Sequence, residues 1–312
     1  MRRFAGGLQR LCGVSRTWLR GGASRGPVAT QFERTVDEAV GFVLHNVQTC
    51  VGRLPGHEAH LQGRTLLEIG PGQDLGIPLV LMGFGARAYV VDPYPCRWTA
   101  SFHAGFYARL LRAAQERYPG GDFGALEQVV SSRSHDRVAG LVLCDAPLER
   151  VPQIPSQSVD LSWSNATLEH VTALDRACAE LGRVTATGGI GFHQVDFRDH
   201  RDFARPLEHL TLAEADARIA LANGEHANYY GSQRRWTSYL GSLQSAGFAV
   251  RFDADMLAAA DQVAEISARA DARYAQMGAE VLRVLSGTFS IEKLQAASPL
   301  GRPRGGGMPS ST

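Results

Sequence analysis

The feature that most constrains this chain is an alternation of short apolar runs with segments whose apolar residues recur at spacings of three and four. Thr65–Ile69, Arg87–Val91, Gly140–Cys144, Val159–Trp163 and Ile190–Val195 read as strands. Leu75–Phe84, a segment carrying Phe102, Phe106, Leu110, Leu111 and Ala114, and Ala173–Val184 read as the helices between them. Pro78 falls in the first turn of its helix, where it is tolerated, and Gly85 stops it. Strand–helix–strand units of this length predict right-handed crossovers and a parallel sheet covered on both faces, a doubly wound α/β fold.

The flanks extend this frame. Phe32, Val36, Val40, Val43 and Val47 predict a helix ahead of the first strand. After Asp196 the period is lost. Residues 198–233 are rich in histidine, aromatic and polar groups, with a short helix near 211–222, and read as a lid. Trp236–Gly247 predicts a helix, Phe248–Phe252 a strand and Thr288–Ile291 a last strand. Between them Val263, Ile266, Ala270, Tyr274, Met277 and Val281 predict one long amphipathic helix within 257–285. The domain is expected over 31–297, with disordered ends at 1–30 and 298–312.

Composition excludes several classes. At 44% hydrophobic and 20% charged residues, the chain is too apolar to be disordered throughout. No run approaches the ~18 consecutive apolar residues of a spanning helix, so integral membrane association is not expected. Thirty-two basic against 31 acidic residues give a formal net charge of +1, and no basic, aromatic-rich stripe suggests nucleic acid. The five cysteines, Cys12, Cys50, Cys96, Cys144 and Cys178, are odd in number and never at CxxC spacing. That argues against a disulfide framework or zinc ribbon and for a reducing, cytoplasmic compartment. Residues 1–30 hold six arginines and no acid. This arm reads as a disordered extension, a transit peptide or a partner-binding segment, and lacks the apolar region of a secretory signal.

The chemistry concentrates at Glu68-Ile69-Gly70-Pro71-Gly72 and at Asp92, twenty-two residues after Gly70. Glycines at a strand-to-helix turn let backbone approach a ligand. An acid at the end of the next strand is placed to accept hydrogen bonds from ribose hydroxyls. The pattern is not that of a pyrophosphate site. Its third glycine position is Leu75, and a carboxylate, Glu68, edges the turn. By Coulomb sign, such a turn suits a cationic nucleoside ligand such as a sulfonium better than a diphosphate.

Five segments in order, spanning about 60–252, resemble class I S-adenosylmethionine-dependent methyltransferases. Leu66–Gly72 is similar to their first motif and Asp92 to their ribose-binding acid. Leu143–Leu148 resembles the step that contacts adenine. Val159–Val171 resembles the fourth-strand segment ending in a leucine-glutamate-histidine-valine signature, and Tyr229–Phe248 the helix-then-strand pattern that follows. The resemblance implies a Rossmann-like, seven-stranded sheet with its last strand antiparallel, and S-adenosyl-L-methionine as cofactor. It places Glu68, Gly70 and Gly72 around the methionine moiety and Asp92 on the ribose. Asp145 and Ala146 fall at the adenine edge, and Ser164 and Asn165 beside the sulfonium. The frequent third glycine of the family is Asp74 here, and the long helix is an elaboration.

An oxygen or nitrogen acceptor needs a proton removed. The candidates are His170, His193 and Asp196, with Asp199 and His200 beside them. Packing or capping is the competing use of each histidine. Some quinone O-methyltransferases of the superfamily hold a divalent ion through two glutamates and this histidine. Glu169 and His170 match, but Ala166 stands at the first glutamate, so no metal is expected. The expected activity is O-methylation of a small-molecule or saccharide hydroxyl. The alternatives are a nicotinamide- or flavin-dependent oxidoreductase and a non-catalytic binding protein. A homodimer would use an exposed stripe on the long helix.

Overall fold

The computed structural model describes residues 34–94, 96–213, 233–274 and 276–295. The expected arm 1–30, tail 298–312, Phe32 and most of the lid, 214–232, lie outside the described residues. Helix α1 (Val36–Arg53) opens with a capping box in which the Thr35 hydroxyl accepts from the Glu38 amide and the Glu38 carboxylate accepts from the Thr35 amide. β1 (Thr65–Ile69), α2 (Gly76–Met82), β2 (Arg87–Val91) and α3 (Ala100–Arg117) follow. α4 (Gly124–Ser132), absent from the sequence reading, precedes β3 (Leu141–Cys144). β4 (Val159–Asn165), α5 (Leu174–Val184) and β5 (Thr185–Asp196) complete the parallel core. α6 (Trp236–Ser245), β6 (Phe248–Leu257), α7 (Ala260–Ser267), α8 (Ala279–Leu282) and β7 (Val284–Lys293) close the chain.

The seven strands lie in the order β3-β2-β1-β4-β5-β7-β6. β1 pairs in parallel with both β2 and β4, while β7 runs antiparallel between β5 and β6. The chain winds outward from β1 to β3 and then returns to β4 on the other side of β1. That reversal leaves a crevice beyond the carboxyl ends of β1 and β4, the natural ligand site of such sheets.

Period-two alternation divides the sheet between two cores. Leu66, Val90, Leu161, Trp163 and Phe192 pack with Val43 and Val47 of α1, Leu79 of α2, Phe106 and Leu110 of α3 and Leu126 of α4. On the opposite face Leu67, Ile69, Val91, Val195 and Phe289 meet Leu174, Ala177 and Leu181 of α5 and Tyr239 and Leu243 of α6. Glu68 shares the face of Leu66 and is therefore sealed beneath the helical layer.

The single helix expected within 257–285 is replaced by separate pieces: α7, a 3₁₀ turn over Ala272–Tyr274, and α8. The helix ends at Ser267, and beyond the following turn Asp271 fixes the path of the chain: its amide donates to Leu210 O and its carboxylate accepts from the Arg273 amide. Three of the periodic residues are nonetheless buried, and Ala270, Met277 and Val281 are half-buried. Val263, Ile266 and Tyr274 form a third cluster with Leu207, Leu210, Leu282 and Leu285. The stripe is thus intramolecular packing against the start of the lid, and it does not supply the exposed surface expected for a dimer.

Arg235, fully buried at the entrance to α6, ties this region to the sheet. Its guanidinium donates to Phe197 O at 2.9 Å, to Leu282 O at 3.1 Å and to Val284 O. Removing it strands carbonyls in an apolar setting. Arg235→Met is expected to lower unfolding free energy by about 3 kcal/mol, read as a lower urea midpoint at unchanged slope.

Candidate active site

The crevice is built around Gly70. Its φ is +67°, and a Cβ there would lie 2.3 Å from Thr167 Cγ2, so no other residue fits. Thr167, just beyond β4, also donates its hydroxyl to Gly70 O at 3.3 Å, closing the switch point from the other side. Gly72 has φ +76°, yet a Cβ there would meet nothing within 4 Å. The turn is therefore packed at Gly70 and open at Gly72, the arrangement of backbone that borders a ligand.

Carboxyl groups converge on this turn. Glu68 is 3% exposed, and its pKa is raised well above the usual carboxylate range by burial and by the nearby charges of Asp74 and Asp92. Asp74 is raised to about 6 by burial, against a hydrogen bond from the Gly76 amide at 2.8 Å. Asp92 is also raised to about 6, first by burial, then by Asp145, while the amides of Tyr94 and Gly72 oppose the shift. Three acids so placed create a negative potential that a cation would relieve. Asp145 is exposed and Ala146 half-buried beyond β3, beside the Asp92 edge. Asn165 is half-buried at the end of β4.

Ser164 and His193 are placed differently from the sequence reading. Ser164 is 1% exposed, and its hydroxyl lies 2.8 Å from His193 Nδ1. Ser162 Oγ lies 3.0 Å from His193 Nε2. With both nitrogens engaged and no exposed surface, His193 is a satisfied buried imidazole whose pKa burial lowers to about 3. It cannot reach a substrate proton. Asp196 is likewise buried: burial alone would raise its pKa, but the hydrogen bonds and charge of Arg198, with Nε on Oδ1 at 2.9 Å, together with the His200 charge lower it. It is an anchor of the lid corner rather than a free base.

Beyond β4, Glu169 and His170 lie together in a 3₁₀ turn two residues past Ala166, with the His200 ring beside that of His170. Glu169 has no exposed side-chain surface, and neither of its oxygens meets a hydrogen-bond partner. Burial, then the Asp196 charge, raises its pKa well above the usual range. His170 Nε2 is 4.0 Å from Glu169 Oε1, and its Nδ1 has no partner. Burial and His200, whose ring centroid is 5.1 Å away, depress His170 to about 3. His200 Nε2 in turn lies 3.9 Å from Asp196 Oδ2. The side chain of His170 is 22% exposed, whereas that of Glu169 has no exposed surface. Ala166 at φ +49° makes the turn that sets these residues off β4, its amide received by Gln194 Oε1 and Gln194 O.

Sequence reasoning missed Thr167, whose role exists only because β4 lies beside β1, and undervalued Glu169, whose isolation depends on burial. No helix among the described residues is long and apolar enough to cross a membrane.

A family model described as a methyltransferase domain matches residues 102–192. Solved structures of similar fold include Haemonchus contortus phosphoethanolamine N-methyltransferase 2 in complex with phosphomonomethylethanolamine and S-adenosylhomocysteine. It is 14% identical over 82% of this chain, with a TM-score of 0.44, and the chain spans 53% of its length. An S-adenosylmethionine-dependent methyltransferase from Mesorhizobium loti is 18% identical over 83% of this chain and 100% of its own, with a TM-score of 0.44. A search of curated proteins returns no match.

The raised pKa of Asp92 has a testable sign. Between its ordinary 3.8 and about 6 the folded chain holds a proton that the unfolded chain has lost, so ionisation above pH 6 costs stability. Asp92→Asn is expected to raise the melting temperature of the ligand-free protein more at pH 7.5 than at pH 5, as scanning calorimetry at both values would show. An equal shift at both would contradict it.

Proposed function

We propose that this chain, whose residues 102–192 match a methyltransferase-domain model, transfers a methyl group from S-adenosylmethionine to a hydroxyl oxygen of a small molecule or saccharide. The observation that carries this reading is the carboxyl cluster Glu68, Asp74 and Asp92 around a turn that is open at Gly72. Its charge suits a ligand with a sulfonium and an α-amino group. When bound, the cofactor supplies a methyl group on positively charged sulfur, ready for in-line displacement.

The protein then has to position and deprotonate the acceptor. Asp92, at the end of β2, accepts from ribose hydroxyls, and Asp145 and Ala146 border the adenine edge. Gly70 and Gly72 allow the backbone close to the methionine end. Asn165 stands near the reacting centre at the end of β4. Positioning supplies much of the rate of a displacement.

His170 takes the acceptor proton, with Glu169 behind it. Alone, an imidazole depressed to about 3 is a weak base. The two opposed shifts share one cause: burial disfavours imidazolium and carboxylate alike when each stands by itself. With Glu169 ionised, an imidazolium at 4.0 Å would offset its charge, so the pair would take up one proton more readily than His170 alone. Asp196, with Arg198 and His200, holds the lid corner against this dyad. No metal is assigned here, because Ala166 removes a carboxylate that a hard cation would need.

Two measurements test the reading. Calorimetry is expected to show one S-adenosylhomocysteine bound per chain, weakened at least tenfold in Asp92→Ala; no binding to the wild type would refute the assignment. His170→Ala should bind S-adenosylhomocysteine as the wild type does, yet lose about 100-fold in methyl transfer to its hydroxyl acceptor. Undiminished transfer would remove the dyad.

A further inference from the structure

Behind the glycine turn, on the side away from the crevice, lies a layer that the proposed reaction does not use. Trp98, His103 and Tyr107 form a stacked set: ring centroids are 5.3 Å apart for Trp98 and His103, and 5.7 Å apart for Trp98 and Tyr107. His135 sits edge-on to His103 at 5.1 Å. His103 and Tyr107 are fully buried. Their polar atoms are aimed at the backbone of the loop that continues from Gly72. His103 Nε2 is 2.8 Å from Gln73 O, Cys96 Sγ donates to the same oxygen at 3.1 Å, and the Leu75 amide donates to Tyr107 Oη at 2.9 Å.

Cys96, His103 and His135 each present a possible ligand atom, all within 4.8 Å of one another, and His135 Nε2 is buried without a partner. That is the donor set of a zinc site, whose tetrahedral edges would be about 3.3–3.6 Å. The hydrogen bonds decide against it. The Thr99 amide donates to His103 Nδ1 at 2.8 Å, so that nitrogen carries no proton. A neutral imidazole must then carry its proton on Nε2, which donates it to Gln73 O. The lone pair that a metal would require is not there.

We infer that His103 is a positioning residue: locked in its Nε2-protonated form by the Thr99 amide, it holds the Gln73 carbonyl and, together with Tyr107 on Leu75, sets the peptide groups on either side of Asp74 for cofactor binding. This rests on the cofactor reading above. The brace acts at two peptide groups, one turned by its oxygen and the other by its N–H, so the loop cannot rotate about Asp74 without breaking a buried hydrogen bond. The Asp74 carboxylate, held on the Gly76 amide, is thereby kept at the start of α2, within the electrostatic reach of Glu68. α3 thus serves the crevice from behind, through a histidine placed one turn into the helix.

The test compares His103→Phe, which keeps a ring in the stack but removes both hydrogen bonds, with His103→Gln. In the latter, the amide oxygen can accept from Thr99 and the amide nitrogen can donate to Gln73. The phenylalanine variant is expected to bind S-adenosylhomocysteine roughly tenfold more weakly, with the loss in activity appearing in the KM for S-adenosylmethionine rather than in kcat. The glutamine variant should recover most of the affinity. Unchanged affinity in folded His103→Phe, or no recovery in His103→Gln, overturns the inference while leaving the cofactor assignment intact. A wild type that binds no S-adenosylhomocysteine overturns both. Nitrogen-15 spectra of the wild-type histidines supply a reading that needs no variant: His103 should be protonated at Nε2 and bare at Nδ1. The opposite tautomer, or stoichiometric transition metal in the purified protein, overturns the inference.

Discussion

Glu68 lies on β1, on the face covered by α1, where water is excluded and where Asp74 and Asp92 add to its field. A protein optimised for stability alone would place an apolar residue at this position, as it does at Leu66 on the same face. The charge conflict at the carboxyl end of β1 is the constraint around which the rest is arranged. It is tolerable without ligand because the acids can hold protons, and it is relieved by a ligand that brings positive charge. The reversal of strand order between β1 and β4 provides the opening in which that ligand fits.

The two sides of the crevice differ in how their polar groups are satisfied. At the glycine turn the backbone is braced by Thr167 and His103 on carbonyls and by Tyr107, which accepts from the Leu75 amide, while the acidic side chains are left electrostatically strained. Beyond β4 and β5 the lid corner is neutralised by Asp196 with Arg198 and Asp199 with Arg201, while Glu169 and His170 retain unpartnered atoms. Buried polar groups ordinarily find partners. His193 shows that ordinary case. It lies one strand away, equally titratable in sequence, and is made inert by Ser162 and Ser164.

Much of the architecture was legible because it follows from repetition. Thr65–Ile69 and Arg87–Val91 coincide with strands, and the helices before and after them bury the residues their spacing marked. The long helix within 257–285 failed for a physical reason. A three-and-four spacing reports which side chains are buried, and Val263, Ile266 and Tyr274 are indeed buried, but it does not report continuity of the backbone. Asp271 diverts the chain to Leu210, a partner sixty-one residues earlier that no local pattern reveals. α4 was missed for the complementary reason: Leu126 and Val129 are too few to mark a period, and the helix is held by its contact with the core of α2 and α3.

The sequence by itself determined the alternation of strands and helices, the glycine turn with its flanking acids, and the sign of charge that this turn accepts. Each depends on residues close together in the chain, where periodicity and the stereochemistry of glycine act directly. Only the tertiary structure decided which histidine is sealed and which keeps some exposure, that Thr167 closes on Gly70, and that His103 meets the backbone of the loop after Gly72. Those outcomes depend on which strands become neighbours and on what is excluded from water. Burial converts identical imidazoles and carboxyls into structural, braced or reactive groups, and burial is a property of the assembled fold.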